Sequence, residues 1–352
     1  MTVAVRSFAK INLGLYIGRV RADGFHDLRT VYQTIAWHDL IRVTVGRGRG
    51  IEILCKDPRV PLDSSNTCYR IAERVMDEFG RKGIVTVEIE KRLPVQGGLG
   101  AASSNAVATM MGLERALKKS LMGATRLRIA AEVGSDLPLF LIGGTVLGVG
   151  RGEEVYPLPD LAAGAMVVVT PEVGVSTPQA FGEWDEVMRN AEAAELRSEA
   201  GRSARSTRTE QRSVATEDQL THLGGSDRLV EVGRVLSSWL SGLPNAGAPA
   251  RGGSRAGSLL LDLVRTGIEN DFEKVVFPQH PELRDIKRAL ERAGARYASL
   301  SGSGSTLYGL FRSRAEAVKA AGRLRKRGVT AVATSTLTRR AFERKSLVAS
   351  RE

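Results

Sequence analysis

Apolar and polar residues alternate over much of the N-terminal part of the chain, a pattern that is typical of half-buried β-strands. Residues 3–17 predict one strand and residues 31–45 predict one or two more, with a turn at Asp23-Gly24 between them. IVTVEIE at 84–90 alternates strictly and predicts a further strand. The pattern therefore makes β-structure the main feature of this part of the chain.

Other segments show helical spacing. Asn66 can cap a helix that continues to about residue 79, because Ile71, Val75 and Phe79 fall four residues apart on one face. The elements predicted next are a helix of small residues ending near Leu117, a helix at about 125–133, an apolar run with two glycines at 139–149 and a buried strand at 165–170.

Large apolar residues almost disappear after Met188. Residues 189–226 consist mainly of Arg, Ser, Thr, Glu, Gly and Ala, so they cannot bury a core and we expect them to be mobile. The pattern predicts a helix at 227–240 and a second flexible stretch after it. We therefore treat about 189–258 as an insert.

Helices and strands return after the insert. The predicted elements are a helix at 281–293, a strand at 295–300, a glycine loop at 301–305, a strand at 306–311, a helix at 314–327 and a strand at 329–337. Because helices and strands mix without strict alternation, the predicted fold class is α+β. We expect two domains, 1–160 and 161–352.

The composition excludes several classes of protein. Of 352 residues, 42% are hydrophobic and 26% are charged, which is a globular profile. No stretch approaches the roughly 18 uninterrupted apolar residues of a membrane-spanning helix, and the first residues lack the pattern of a secretory signal. Two cysteines cannot build a disulfide framework, and four histidines without paired spacing do not favour a zinc site. We expect a soluble cytoplasmic protein that contacts no membrane.

The formal net charge of +12 raises the question of a nucleic-acid partner. Residues 312–352 hold twelve Lys and Arg against three Asp and Glu, a net charge of +9. Such a patch attracts phosphates without specificity. Its one aromatic residue, Phe342, offers little for base stacking. A solvated helix face explains the run better, and we expect no specific nucleic-acid partner.

The strongest chemical signal is the string PVQGGLGAASSNA at 94–106. Its three glycines leave room for a backbone to approach a bulky anion. Ser103 and Ser104 lie near the start of a predicted helix, where free N–H groups and the helix dipole favour phosphate. The Lys-Ser/Thr pair of a P-loop is absent, so backbone amides and hydroxyls would bind the phosphates. The alternative is a glycine-rich turn that only joins a strand to a packed helix.

A second glycine loop, Ser301 to Ser305, joins two strands late in the chain. Hydroxyls that alternate with glycines can donate hydrogen bonds to phosphate oxygens, although a tight β-turn explains the loop almost as well. A substrate bound between two domains needs contacts from both, which favours a role in binding.

Two charged residues lie in apolar surroundings. Asp136 is flanked by Gly134-Ser135 and Leu137-Pro138 ahead of an apolar run, and Lys10 lies within the first predicted strand. A carboxylate in such a place is costly to bury unless it is paired. The two residues form a structural ion pair, or supply the base and the cation of a phosphoryl-transfer centre, or are unrelated. The residues alone leave these alternatives open.

Together and in this order, the motifs resemble the signatures of the GHMP small-molecule kinases. The resemblance covers about 1–185 and 259–345. The segments that carry it are AKINL at 9–13, DGFHDL at 23–28, the string at 94–106, GSDLP at 134–138, NDFE at 270–273 and LSGSGS at 300–305. The DGFH segment resembles the members that act on a cytidine-linked substrate, rather than those that act on homoserine or mevalonate.

The resemblance implies an N-terminal domain like domain 2 of ribosomal protein S5, a ferredoxin-like C-terminal domain, and a site in the cleft between them. It also implies ATP-dependent phosphorylation of the 2-hydroxyl of 4-diphosphocytidyl-2-C-methyl-D-erythritol, in the non-mevalonate (MEP) route to isoprenoid precursors. Mg²⁺ would accompany ATP, with the phosphates supplying most of its ligands, since no motif fixes a metal site. The oligomeric state stays open between a monomer and a weak dimer.

The resemblance also implies roles for single residues. Asp136 would accept the proton of the substrate hydroxyl, and Lys10 would hold that carboxylate ionised near the transferring phosphoryl group. His26 would read the cytosine edge, with Phe25 and Phe181 stacked on the two faces of the ring. The implied ATP-binding residues are Pro94, Val95, Gln96, Gly97, Gly98, Leu99, Gly100, Ala101, Ala102, Ser103 and Ser104, with Asn66 and Lys91 near the adenosine. The other implied substrate-binding residues are Asn12, Gly302 and Ser303.

Some positions depart from the family pattern. Phe25 stands where tyrosine is common, which removes a phenol but keeps the stacking face. Gln96, Ala101 and Ala102 stand where glycine is frequent, and alanine narrows the space for a phosphate. Two other hypotheses stay open: a GHMP kinase whose acceptor lacks cytidine, and an RNA-binding protein, which a basic C-terminus and an S5-like fold would suit.

Overall fold

A long β-hairpin lies at the centre of the computed structural model, which describes residues 2–203 and 268–348. Its strands are β1 (Thr2–Val20) and β2 (His26–Gly46), which pair antiparallel. Gly24 in the connecting turn has a φ of 81°, a conformation that favours glycine. The two strands predicted from the alternating pattern are therefore the two arms of one hairpin, and the second arm is a single strand.

The hairpin belongs to a six-stranded sheet. The C-terminal part of β2 pairs with β4 (Ile84–Glu90), which pairs in parallel with β3 (Gly50–Cys55). The N-terminal part of β2 pairs with β5 (Thr145–Val149), and β5 pairs with β6 (Glu154–Pro157). The strand predicted at 84–90 is confirmed.

The helices beside this sheet are α1 (Thr67–Glu78), α2 (Ala101–Leu117), α3 (Gly123–Val133) and α4 (Leu139–Ile142). The predicted cap of α1 is confirmed, because the side chain of Asn66 accepts a hydrogen bond from the N–H of Cys68. The apolar run at 139–149 divides into α4 and β5 at Gly143 and Gly144, which have φ values of 67° and 71°.

A second, four-stranded sheet has the order β10-β7-β9-β8 with every pair antiparallel. This is the strand arrangement of a ferredoxin-like β-α-β-β-α-β unit, which confirms the predicted α+β architecture. The strands are β7 (Ala165–Val169), β8 (Tyr297–Leu300), β9 (Leu307–Phe311) and β10 (Ala331–Ser335). The helices in the C-terminal part of the chain are α5 (Thr177–Ser203), α6 (Glu273–Gln279), α7 (Pro281–Arg292), α8 (Arg314–Arg325) and α9 (Arg339–Ser346).

The stretch after Met188 differs in part from the prediction. Helix α5 continues to Ser203, so the beginning of the segment expected to be mobile is helical. Its Ala, Glu and Arg residues are good helix formers, and a helix needs few apolar residues where it lies in solvent. The helix predicted at 227–240 and the rest of the insert lie outside the described residues. No helix within the described ranges is long and apolar enough to cross a membrane.

The central hairpin serves both halves of the molecule. Val5 at its open end packs in the core beneath α1 and α2, whereas Leu15 and Ile17 pack in the core of the second sheet. Between these two cores lies a third buried cluster, which joins Ile11 of β1 to Tyr308 of β9. The middle of β1 therefore lies at the border between the two sheets, and the predicted site residues Lys10 and Asn12 lie there.

Candidate active site

Lys10 and Asp136 form an ion pair. Nζ of Lys10 lies 3.2 Å from Oδ2 of Asp136, and the two side chains are 5% and 33% exposed. The lysine is buried, whereas the carboxylate still reaches solvent. The alternative that these residues are unrelated is therefore wrong, and a partly open carboxylate beside a buried cation suits a catalytic pair as well as a structural one.

Tyr32 holds the other oxygen of the carboxylate. Its phenol donates a hydrogen bond of 3.0 Å to Oδ1 of Asp136, and Nζ of Lys10 lies 5.4 Å from the centre of its ring. Burial and the negative charge of Asp136 raise the pKa of Tyr32 well above its ordinary value, so the phenol stays a donor. Sequence reasoning missed Tyr32, although it lies opposite Asn12 in the register of the hairpin.

Asn12 extends this network along β1. Its Oδ1 accepts a hydrogen bond of 2.8 Å from Nζ of Lys10, and its amide donates one of 2.7 Å to the hydroxyl of Thr30. The pairing of β1 with β2 shifts register on both sides of this segment, between Phe8 and Lys10 and between Asn12 and Gly14. Such bulges redirect side chains, and the buried polar residues Lys10 and Asn12 lie between these two shifts.

The glycine string takes conformations that only glycine adopts readily. Gly97, Gly98 and Gly100 have φ values of 126°, 78° and 66°. A Cβ on Gly97 would lie 2.6 Å from the hydroxyl oxygen of Thr306, and a Cβ on Gly98 would lie 2.0 Å from the carbonyl oxygen of Ser301. Gly97 and Gly98 therefore make room for residues of the second domain, a role that the sequence did not predict.

The two glycine loops form one unit with β1. The carbonyl of Gly97 accepts a hydrogen bond from the N–H of Thr306, and the carbonyl of Gly98 accepts one from the hydroxyl of Ser301. The carbonyl of Leu99 accepts one from the N–H of Lys10. The structure thus brings together both predicted loops and the predicted catalytic lysine.

The two serines at the start of α2, which were predicted to bind phosphate, lie in different surroundings. Gly100 occupies the N-cap position without a side-chain hydrogen bond to the helix, and Ser103 in the first turn is half-buried. Ser104 is buried, and its hydroxyl donates a hydrogen bond of 2.7 Å to the carbonyl of Phe8. That hydroxyl faces the inside of the protein, which argues against the predicted contact between it and phosphate.

Asn66 and Lys91 also have structural partners. Asn66 is buried, caps α1 and donates a hydrogen bond of 2.6 Å to the carbonyl of Pro61. Nζ of Lys91 lies 2.6 Å from Oδ2 of Asp39, in a pair whose side chains are 8% and 0% exposed. Their polar groups are therefore hydrogen-bonded within the fold, and their place near the adenosine stays a prediction.

Two cavities adjoin the glycine string. One of about 120 Å³ lies between the starts of α1 and α2 and is lined by Asn66, Lys91 and Val95 among others. Its mostly apolar walls suit a flat ring. A larger one of about 500 Å³ is lined by residues 94–97 on one side and 170–175 on the other, so both halves of the molecule contribute to it.

The second glycine loop is anchored from the α5 and α6 side. Ser303 shares a hydrogen bond of 2.7 Å with the hydroxyl of Thr177, and the amide of Asn270 donates to the carbonyls of Leu300 and Gly302. Gly302 faces Asn12, whose Oδ1 would lie 3.6 Å from a Cβ added there. Asn12, Gly302 and Ser303, which were predicted to bind the substrate, therefore lie next to one another where β1 meets the second glycine loop.

The predicted nucleobase residues cluster at the hairpin turn. Phe25 is 51% exposed, and the guanidinium of Arg151 lies 5.1 Å from the centre of its ring. His26 stacks on Phe181 at 4.7 Å between ring centres and 14° between planes, and its Nε2 lies 2.7 Å from Oδ1 of Asp185. The expected sandwich of a base between Phe25 and Phe181 is not preformed, because His26 covers one face of Phe181.

Family models match both halves of the chain. One described as "GHMP kinases N terminal domain" matches residues 66–144, and one described as "GHMP kinases C terminal" matches residues 255–330. Two curated relatives are named 4-diphosphocytidyl-2-C-methyl-D-erythritol kinase. The one from Solibacter usitatus (strain Ellin6076) is 36% identical over 88% of this chain and 81% of its own length. The one from Acaryochloris marina (strain MBIC 11017) is 33% identical over 88% of this chain and 87% of its own length.

Solved structures share the fold. A crystal structure of 4-(cytidine 5'-diphospho)-2C-methyl-D-erythritol kinase superposes with a TM-score of 0.64 at 24% identity, over 95% of this chain and 98% of that one. A homoserine kinase from Cytophaga hutchinsonii superposes with a TM-score of 0.62 at 17% identity, over 96% and 95% of the two chains. At these identities the likeness concerns the fold alone.

Proposed function

This chain belongs to the GHMP kinase family, and we propose that it transfers a phosphoryl group from ATP to the 2-hydroxyl of 4-diphosphocytidyl-2-C-methyl-D-erythritol. Relatives named for this substrate cover most of the chain at 30% identity or more. The reaction belongs to the MEP route to isoprenoid precursors, and we place the enzyme in the cytoplasm.

One observation carries the chemical part of the proposal. The Lys10–Asp136 pair lies beside two glycine loops from different halves of the molecule, and the backbone of Lys10 is hydrogen-bonded to the first loop. A partly open carboxylate can accept a proton, a buried ammonium can stabilise a developing phosphoryl charge, and glycine loops can admit phosphates. These three requirements of phosphoryl transfer meet at one place.

The substrate hydroxyl gives its proton to Asp136 while its oxygen forms a bond to the γ-phosphorus of ATP. The bond between that phosphorus and the β,γ-bridging oxygen breaks, and ADP leaves with the electron pair. A carboxylate is a weak base, which suffices because proton transfer is late in a loose transition state. Lys10 stabilises both the ionised carboxylate and the transferring group.

We place the ATP phosphates along the glycine string and the first turn of α2. The N-terminal N–H groups of that helix and Ser103 are the donors, while Ser104 supports the turn from inside. The base of ATP would occupy the apolar cavity of about 120 Å³ beside Val95. Asn66 and Lys91 would then shape this cavity rather than bind the nucleotide with their polar atoms.

Mg²⁺ fits this site only together with ATP. Among residues 2–203 and 268–348, no cluster of three His, Cys, Asp or Glu side chains could hold a metal ion. When bound, the ion would screen the phosphate charge, with phosphate oxygens and water as most of its ligands. We assign no step of the reaction to it.

We place the cytidine end of the substrate at the hairpin turn. The exposed ring of Phe25 can stack on a base, and the His26–Asp185 pair can read its edge. Phe181 would become the second stacking face only when the His26 ring moves aside.

The experiment is an acceptor panel with γ-labelled ATP. The full chain should phosphorylate the cytidyl-methylerythritol substrate and leave homoserine, mevalonate and galactose unlabelled. Transfer to one of those three, with none to the cytidyl substrate, would favour the other GHMP hypothesis. RNA binding that falls steeply with salt, without any transfer, would favour the RNA hypothesis.

A further inference from the structure

Tyr32 contacts both members of the catalytic pair, yet the proposed phosphoryl transfer gives it no role. Its phenol donates to Oδ1 of Asp136, while Lys10 holds Oδ2 from the other side. The ammonium of Lys10 also lies 5.4 Å from the centre of the Tyr32 ring, within the range of a cation–π interaction. One side chain thus contacts the base and its cation together.

The surrounding fold fixes the position of this phenol. Tyr32 is 2% exposed and pairs with Asn12 on one neighbouring strand and with Val146 on the other. Gly152 lies over the hydroxyl, since a Cβ there would come within 2.5 Å of the phenol oxygen, and its φ is 98°. The phenol therefore has little freedom to turn away from Asp136.

We propose that Tyr32 is a positioning residue that holds the carboxylate of Asp136 in one orientation for proton transfer. With Oδ1 held by Tyr32 and Oδ2 held by Lys10, the carboxylate cannot rotate freely about its last bond. Its exposed part then faces the incoming hydroxyl in a constant direction. This inference rests on the proposed function, in which Asp136 is the base.

The test is Tyr32→Phe, which removes the hydroxyl and keeps the ring. We expect kcat to fall about tenfold, the scale for losing one hydrogen bond to a charged group, while both KM values stay within about twofold. Loss of the hydrogen bond also destabilises the ionised carboxylate, so the acid limb of the kcat profile should move to higher pH. Replacing a residue that only fills the core would not shift the acid limb of the profile. It would also not lower kcat while both KM values stay unchanged.

A matched control removes the phenol of a partly buried tyrosine, Tyr297. Tyr297 donates a hydrogen bond of 3.1 Å to the carbonyl of Leu13, and it does not contact Asp136. Tyr297→Phe should lower the melting temperature without moving the acid limb. A similar limb shift in both variants would overturn the proposal, because the cause would then be a general loss of packing.

A double-mutant cycle keeps the test valid when Tyr32→Phe is less stable. In an Asp136→Asn background, Tyr32→Phe should lower kcat by less than about twofold, because no base is left to orient. Equal losses in both backgrounds would overturn the inference. The wild type in the same assay separates the two proposals: an inactive wild type contradicts the proposed function, whereas an active wild type with an unchanged Tyr32→Phe contradicts only this inference.

Discussion

The Cα of Gly98 faces the carbonyl of Ser301 so closely that a Cβ would lie 2.0 Å from the carbonyl oxygen. The hydroxyl of Ser301 donates a hydrogen bond back to the carbonyl of Gly98. Main chain from one half of the molecule therefore rests directly on main chain from the other. Neither segment can move away easily, since main-chain atoms are less mobile than the end of a side chain.

Gly98→Ala should consequently lower the free energy of unfolding by more than the strain of a left-handed backbone conformation alone. The φ of Gly98 is 78° and that of Gly80 is 58°, but a Cβ on Gly80 would meet nothing within 4 Å. Gly80→Ala should lower the free energy of unfolding by about 1 kcal/mol, which is the cost of the left-handed conformation. Gly98→Ala should lower it by at least about 2 kcal/mol and raise KM for ATP. Urea unfolding measures both, and equal losses would contradict the contact between the loops.

The two serines at the start of α2 should behave in opposite ways. Ser103→Ala should raise KM for ATP several-fold, because it removes a donor to phosphate, and should leave the melting temperature nearly unchanged. Ser104→Ala should destabilise the protein by about 1–3 kcal/mol, because the carbonyl of Phe8 loses its partner, with little change in KM. Thermal unfolding and initial rates would separate the two. A rise in KM confined to Ser104→Ala would contradict this placement of the phosphates.

His26→Ala should act on one substrate only. Loss of the imidazole removes the group that, paired with Asp185, would read the cytosine edge, so KM for the cytidyl substrate should rise at least about tenfold. KM for ATP should stay within about twofold. His280→Ala is the control, since His280 pairs with Glu282 on α7. Equal effects of His26→Ala on both KM values would indicate a folding defect and contradict its role in binding cytidine.

The two cysteines should differ in reactivity. Burial raises the pKa of the Cys68 thiol to about 12, so at pH 8.5 this thiol stays protonated and shielded, and only well above that pH would a thiolate form. Cys55 is half-buried. Iodoacetamide at pH 8.5 should therefore label the folded protein at Cys55, and Cys55→Ser should remove the label. Labelling that survives Cys55→Ser in the folded protein would contradict the burial of Cys68.

Local patterns in the sequence predicted much of the fold. The strict alternation at 84–90 and the cap at Asn66 depend on neighbouring residues, and both are confirmed. The ferredoxin-like strand order came from the family resemblance, since local pattern does not say which strands pair. The helical start of the insert was missed because a lack of apolar residues argues against a core and not against a helix.

The sequence predicted only part of the site, because local pattern does not show which side chains meet in space. Lys10 and Asp136 stood out because charged residues in apolar segments need a partner, and the structure pairs them. Tyr32 did not stand out, because an aromatic residue in a strand looks like core until its hydroxyl is seen to reach a carboxylate. The sequence could not distinguish Ser104 from Ser103, because a position near a helix N-terminus does not say which way a side chain faces.

The proposed reaction requires Asp136 to accept the proton of the substrate hydroxyl, and single-turnover transfer tests this role directly. Wild type and Asp136→Asn would be mixed with γ-labelled ATP and the cytidyl-methylerythritol substrate, and the labelled product followed over time. We predict that Asp136→Asn binds ATP with nearly unchanged affinity and transfers the label at least about 100-fold more slowly. Transfer at the wild-type rate by Asp136→Asn would show that the Lys10–Asp136 pair is only structural and would contradict the account.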